Sequence, residues 1–197
     1  MVTVDCDYIL RKLVPKMEAA PEEEKLALIT DILGRMVQQK CTDDPKFLEL
    51  SERLAETEPT FGRYQFLVKA YVARDNLSRA MEYLEKSIPL AENNQEKAEA
   101  VMTRANFKRK QGNLGGARSD YMQAAQMDPN LAYEAYTYIG DMYMSSYQSC
   151  KGSDPSNPIH QRAVFIAAYN MYQRAGNQQG MAKAQAQFPS KTDDLYL

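Results

Sequence analysis

The chain has 197 residues, 24 basic and 26 acidic groups and a formal charge of −2, so nothing global draws it to nucleic acid or anionic membrane. It carries 23 Ala, 16 Leu and 11 Met against 8 Val and 7 Ile. Strands draw on β-branched residues and straight-chain residues favour helix, so an all-β sandwich or a parallel α/β sheet is disfavoured from the start.

Helix signals recur along the chain. A first helix is expected over 5–19 and a second over 22–40, the latter opened by Pro21-Glu22-Glu23-Glu24, with acidic groups at the positive end of its dipole. Asp43-Asp44-Pro45 opens a third with a capping side chain ahead of proline. Further helices are predicted at about 61–74, 77–91, 95–111, 114–127, 131–147, 159–175 and 178–187. A polar stretch, Ser145 to Pro158, reads as a long loop between two of them. No uncharged apolar run approaches the ~18 residues of a membrane-spanning helix.

An internal repeat underlies this layout. With Phe61 as position 1 of a 34-residue unit, Tyr64, Leu67 and Tyr71 fall at positions 4, 7 and 11, and Ala80 and Leu84 at 20 and 24. A unit from Ala98 places Gly112, Ala117, Tyr121, Ala124 and Pro129 at 15, 20, 24, 27 and 32. A unit from Tyr133 gives Tyr136, Ile139, Gly140 and Tyr143, then Ala168, Tyr172 and Ala175 once the segment around Cys150 is set aside as an insert. Small residues let paired helices approach, and large ones fill the space between pairs. Arg104 and Lys108 depart from the pattern, occupying positions 7 and 11 of their unit.

This register resembles the tetratricopeptide repeat family over roughly residues 27–187. The resemblance implies an all-α, right-handed α-solenoid of stacked antiparallel helix pairs, about ten helices in one domain spanning 1–197. Its units would be about 27–60, 61–94, 98–131 and 133–187, with an inserted loop at 145–158, an incomplete repeat or cap at 1–20 and a tail at 188–197. The Asp5-Cys6-Asp7 start, Lys40-Cys41-Thr42-Asp43, the cysteine-bearing insert and Gln187-Phe188-Pro189-Ser190-Lys191 are similar to exported tetratricopeptide-repeat proteins of Bacteroidetes, here without their strand-rich C-terminal tail. That likeness implies a periplasmic protein whose signal lies upstream of Met1, since MVTVDCDYILRKLV lacks the layout of a secretion signal.

Cys6, Cys41 and Cys150 are too few and too widely spaced for a disulfide framework or a zinc set. In an antiparallel pair of helices, Cys6 and Cys41 differ by roughly 9 Å along the axis. A bridge needs Cα atoms within about 7 Å, so it forms only if the ends tilt inward, and both thiol and disulfide readings stay open.

Catalytic signals are sparse. Cys150 and His160, with Asp154 between them, could make a thiolate nucleophile or a metal site, but they fall in a segment of Ser, Asn, Gly and Pro with no sign of rigid positioning. Gly112-Asn113-Leu114-Gly115-Gly116 lacks the Gly-Lys-Ser/Thr of a phosphate loop and joins two helices. No metal or cofactor is expected.

What remains is the surface that the first helix of each pair presents. In tetratricopeptide arrays these helices line a concave groove, where the resemblance places Arg35, Gly62, Gln65, Lys69, Asn106, Arg109, Lys110 and Asp141. Lys69, Asn106, Arg109 and Lys110 form a basic, amide-bearing strip suited to a carboxylate or an acidic peptide. The family's carboxylate clamp is absent, because its positions hold Gln65, Lys69, Thr103, Glu134 and Tyr138. The expected function is a non-enzymatic scaffold binding a peptide or partner protein, with Arg35, Gln65, Lys69, Asn106, Arg109, Lys110 and Asp141 as the site. The alternatives are a self-assembling homo-oligomer that joins through terminal helices, and a thiol activity at Cys150.

Overall fold

The computed structural model describes residues 4–153 and 158–188, with the backbone alone at 150–153 and 158–161. Helices dominate and no strand occurs among the described residues. None of these helices is long and apolar enough to cross a membrane. The chain forms two compact units, Met1–Leu90 and Ala91–Leu197.

In the first unit, helix α1 runs through Cys6–Tyr8, a π turn at Ile9–Leu13 and Val14–Glu18. Asp5 caps it by accepting from the Tyr8 amide at 2.9 Å. The π turn has a local cause. Pro15 has no amide hydrogen and its ring would crowd the carbonyl four residues back, so the helix widens and the Val14 amide reaches back five residues to Ile9. Helices α2 (Glu22–Gln38), α3 (Pro45–Thr57), α4 (Phe61–Ala73) and α5 (Leu77–Ser87) follow. Asp44, Thr60 and Asn76 cap the last three through their side chains. Ile9, Val14 and Met17 of α1 pack with Ile29, Ile32 and Met36 of α2 and with Phe47 and Leu50 of α3. Cys6 and Cys41 are joined by a disulfide, Cα atoms 5.8 Å apart, which resolves the open reading in favour of the bridge. Helix α2 stops at Gln38 and the left-handed Lys40 turns Cys41 back, its amide bonding the Met36 carbonyl at 2.8 Å, so the axial offset of a straight helix does not apply.

The second unit contains α6 (Asn94–Lys110), α7 (Leu114–Met127), α8 (Ala132–Ser153), α9 (Pro158–Ala175) and α10 (Gln178–Gln185). Within this unit each helix packs against the next in sequence. Ala98, Ala105, Ala117, Ala124, Ala168 and Ala184 are fully buried, and so are the large Tyr121 and Ile139. Small sites thus sit where helices approach, and large ones fill between them.

One turn chemistry recurs in both units. The amides of Cys41, Asn76, Asn113 and Asn177 each bond the carbonyl five residues back, at Met36, Tyr71, Lys108 and Tyr172. The residue before each has positive φ: Lys40, Asp75, Gly112 and Gly176. This left-handed residue closes one helix, and Asn76, Asn113 and Asn177 then cap the next.

Helix α8 departs from expectation. It runs to Ser153, so the polar stretch from Ser145 is helical for nine residues where a loop was expected. Ser145 and Ser146 turn their hydroxyls onto the Met142 and Tyr143 carbonyls at 2.9 and 2.8 Å, which satisfies them without breaking the helix. Residues 154–157 of the expected loop, and the tail from 189, lie outside the described residues.

Candidate functional site

In the first unit the sequence-predicted residues are scattered among different roles. Arg35 pairs with Asp31 at 2.7 Å, one turn away on its own helix. Gln65 donates to the Ser87 hydroxyl of α5 at 2.8 Å. Lys69 is exposed and lines a cavity with Arg74.

That cavity is one of two that share Val37, Phe47 and Phe66. The first, of about 310 Å³, lies between Leu33 and Gly34 of α2 and Gly62 and Arg63 of α4, with Ser51 and Leu54 of α3 also lining it. The second, of about 380 Å³, is bounded by Thr42 and Asp43, by Leu48 of α3, and by Lys69, Ala70 and Arg74 of α4. Val37 and Phe66 stand 57% and 42% exposed over them, large apolar side chains that the fold leaves in water. Phe66 is held edge-on against Phe47, ring centres 5.9 Å apart. The Arg63 guanidinium at the first cavity is neutralised by Glu58 at 2.8 Å.

Beside this groove lies a partly buried polar junction that sequence reasoning missed. Glu52 of α3 accepts from Tyr71, from Tyr83 at 2.7 Å and from Arg79 at 2.9 Å. Burial first, then the hydrogen bond to Glu52, pushes the Tyr83 phenol well above its ordinary range. Tyr71 and Tyr64 stack on Tyr83 with ring centres 5.7 and 5.8 Å away. Glu52 falls among other acidic residues in sequence, and only the packed helices show that two tyrosines and an arginine converge on it.

The second unit uses most of its predicted strip internally. Asn106 accepts from the Tyr121 hydroxyl at 2.6 Å. The Arg109 guanidinium lies 4.5 Å from the centre of the Tyr138 ring, and that ring meets Tyr121 at 5.4 Å. Asp141 accepts from the Tyr172 hydroxyl at 2.7 Å. Burial raises the Tyr121 phenol to about 12, with Arg109 opposing the rise. Asn106 and Arg109 therefore lie around tyrosines that already engage them. Lys110 stays exposed.

The thiol alternative rests on the side chains of Cys150, Asp154 and His160, which lie outside the described residues. Among the described residues no group of three or more His, Cys, Asp or Glu is placed to hold a metal ion. The groove of the first unit can accept apolar side chains and, at its Lys69 end, a carboxylate. No protein-family model matches the sequence, and no curated protein matches it.

Proposed function

We propose that the chain is a tetratricopeptide-type scaffold, its helix pairs stacked as a right-handed solenoid, that binds a peptide segment of a partner protein and catalyses no reaction. One observation carries the reading: Val37 and Phe66 are held in water over cavities lined by apolar side chains, beside the exposed ammonium of Lys69. Contiguous exposed apolar surface with a polar edge is the usual mark of an interaction site. The recurring turn at Asp75-Asn76, Gly112-Asn113 and Gly176-Asn177 supports the repeat reading, since repeated units reuse one local solution. The Cys6–Cys41 bridge supports an exported protein, because such bonds persist in oxidising compartments.

The test is capture with the immobilised chain from its native source, followed by titration of the purified partner. Lys69→Glu is expected to weaken an acidic partner tenfold or more. Unchanged affinity removes Lys69 from the site. A chain that associates only with itself over a dilution series replaces this reading with self-assembly.

A further inference from the structure

We infer that the groove between α2 and α4 docks an amphipathic peptide segment of a partner protein, its main chain approaching Gly34 and Gly62, two apolar side chains entering the cavities and an acidic side chain meeting Lys69. This rests on the scaffold reading above and names the partner's chemistry.

The two glycines have no role within the chain. Both are helical and neither has positive φ, so the backbone does not require them. A Cβ built on either meets nothing within 4 Å, so no neighbour requires them. Gly140 and Gly180 differ, because there the same atom would run into the Tyr172 ring. Glycine is the poorest helix former after proline, so Gly34 in the interior of α2 weakens its helix for no internal gain. What Gly34 and Gly62 share is the wall of one cavity. Glycines on both sides keep open the space that a close-approaching main chain needs.

The charges give the groove a direction. At the first cavity Arg63 is already paired with Glu58. At the second, Lys69 forms no ion pair among the described residues, and Arg74 donates to a main-chain carbonyl, that of Ala70, at 3.0 Å. Asp43 offsets part of this, leaving a net positive rim at that end only. An apolar anchor therefore enters beside the glycines, and the carboxylate follows at the Lys69 end. The two cavities adjoin, sharing Val37, Phe47 and Phe66, so neighbouring apolar side chains on one face of a peptide helix can enter both.

The probe is a labelled, end-blocked helical peptide with two leucines one turn apart and a glutamate one turn beyond, titrated into the full chain by anisotropy and by amide spectra. Saturable binding with shifts at the Gly34 and Gly62 amides is expected. Gly34→Leu should raise Kd tenfold or more without lowering the thermal midpoint, and Gly34→Ala should raise that midpoint by about 2 °C. Replacing the peptide's glutamate with lysine should weaken it on the natural chain and restore it on Lys69→Glu. No saturable binding, or binding indifferent to Gly34→Leu, overturns the groove assignment. If a captured partner still binds those variants, the scaffold reading stands while this inference falls. A dimer abolished by Gly34→Leu makes a second copy the occupant and overturns it as well.

Discussion

Arg104 of α6 lies along the carboxylate of Asp120 of α7, its Nε and Nη2 at 2.8 and 2.9 Å from the two oxygens. Lys108, one turn on, places its ammonium 2.7 Å from the same group, which is only 4% exposed. Two cations where the repeat pattern calls for apolar side chains are thus explained by one buried anion. Removing that anion takes away the partner that these two cations share, so Asp120→Ala should cost about 3–5 kcal/mol. Replacing Arg104, Lys108 and Asp120 together by leucine should restore most of this, because the desolvation cost of the charges disappears as well. Urea midpoints of the two variants decide it, and a cost below about 1 kcal/mol for Asp120→Ala would show the pair contributes little.

The Cys6–Cys41 bridge closes a loop with a sequence separation of 35 and ties α1 to the end of α2. On the chain-entropy account a loop of this length contributes about 3–4 kcal/mol by restricting the unfolded state. Cys6→Ser with Cys41→Ser should therefore lower the unfolding midpoint markedly. A thiol reductant should lower the natural chain's midpoint toward that of the double variant and leave the variant unmoved. Coincident midpoints with and without reductant would contradict the bridge.

The sequence made the helix pairs legible because their boundaries are written in local chemistry. Asn76, Asn113 and Asn177 cap helices through their own side chains, and α7 occupies the predicted 114–127. Tertiary choices were less legible. The partner of Arg104 lies on the next helix, and nothing near Arg104 in sequence announces it. Arg109 and Asn106 look available to a ligand until Tyr138 and Tyr121 pack against them. Nothing local to Val37 and Phe66 in the sequence says whether a neighbour will cover them, and the fold leaves both exposed. The helical course of Ser145–Ser153 was hidden by a composition that reads as loop, though no proline interrupts it.

Gly140 of α8 and Gly180 of α10 enclose the ring of Tyr172, which is 3% exposed. A methyl group on Gly140 would lie 2.6 Å from a ring carbon, and one on Gly180 would lie 2.4 Å away. The ring cannot retreat freely, because its hydroxyl is bonded to Asp141. Gly140→Ala and Gly180→Ala should each destabilise by about 1–3 kcal/mol through overpacking, despite alanine's better helix propensity. Combining Gly140→Ala with Tyr172→Leu should cost less than the two changes summed, a coupling that a double-mutant cycle on unfolding free energies would reveal. Strict additivity would mean the ring and the glycine do not meet.

Burial of Tyr121 couples the stability of the fold to alkaline pH. Its phenol rises from an ordinary value of 10.0 to about 12, chiefly through burial. Below pH 10 both the folded and the unfolded chain keep that proton, so the contribution to stability is fully present. Between pH 10 and 12 the unfolded chain releases it while the folded chain holds it, so stability falls with rising pH. The slope for one such tyrosine approaches about 1.4 kcal/mol per pH unit. Burial likewise raises Tyr71, Tyr83 and Tyr172, and a hydrogen bond to Glu134 raises Tyr138, so their effects add in the same direction. Urea midpoints across this range should therefore fall steeply for the natural chain. Tyr121→Phe removes one titrating group, and its stability should decline more gently by about the single-tyrosine slope, after an initial loss near 1 kcal/mol from the broken hydrogen bond to Asn106. Parallel declines in the two proteins would show that Tyr121 ionises alike in both states and is not buried as described.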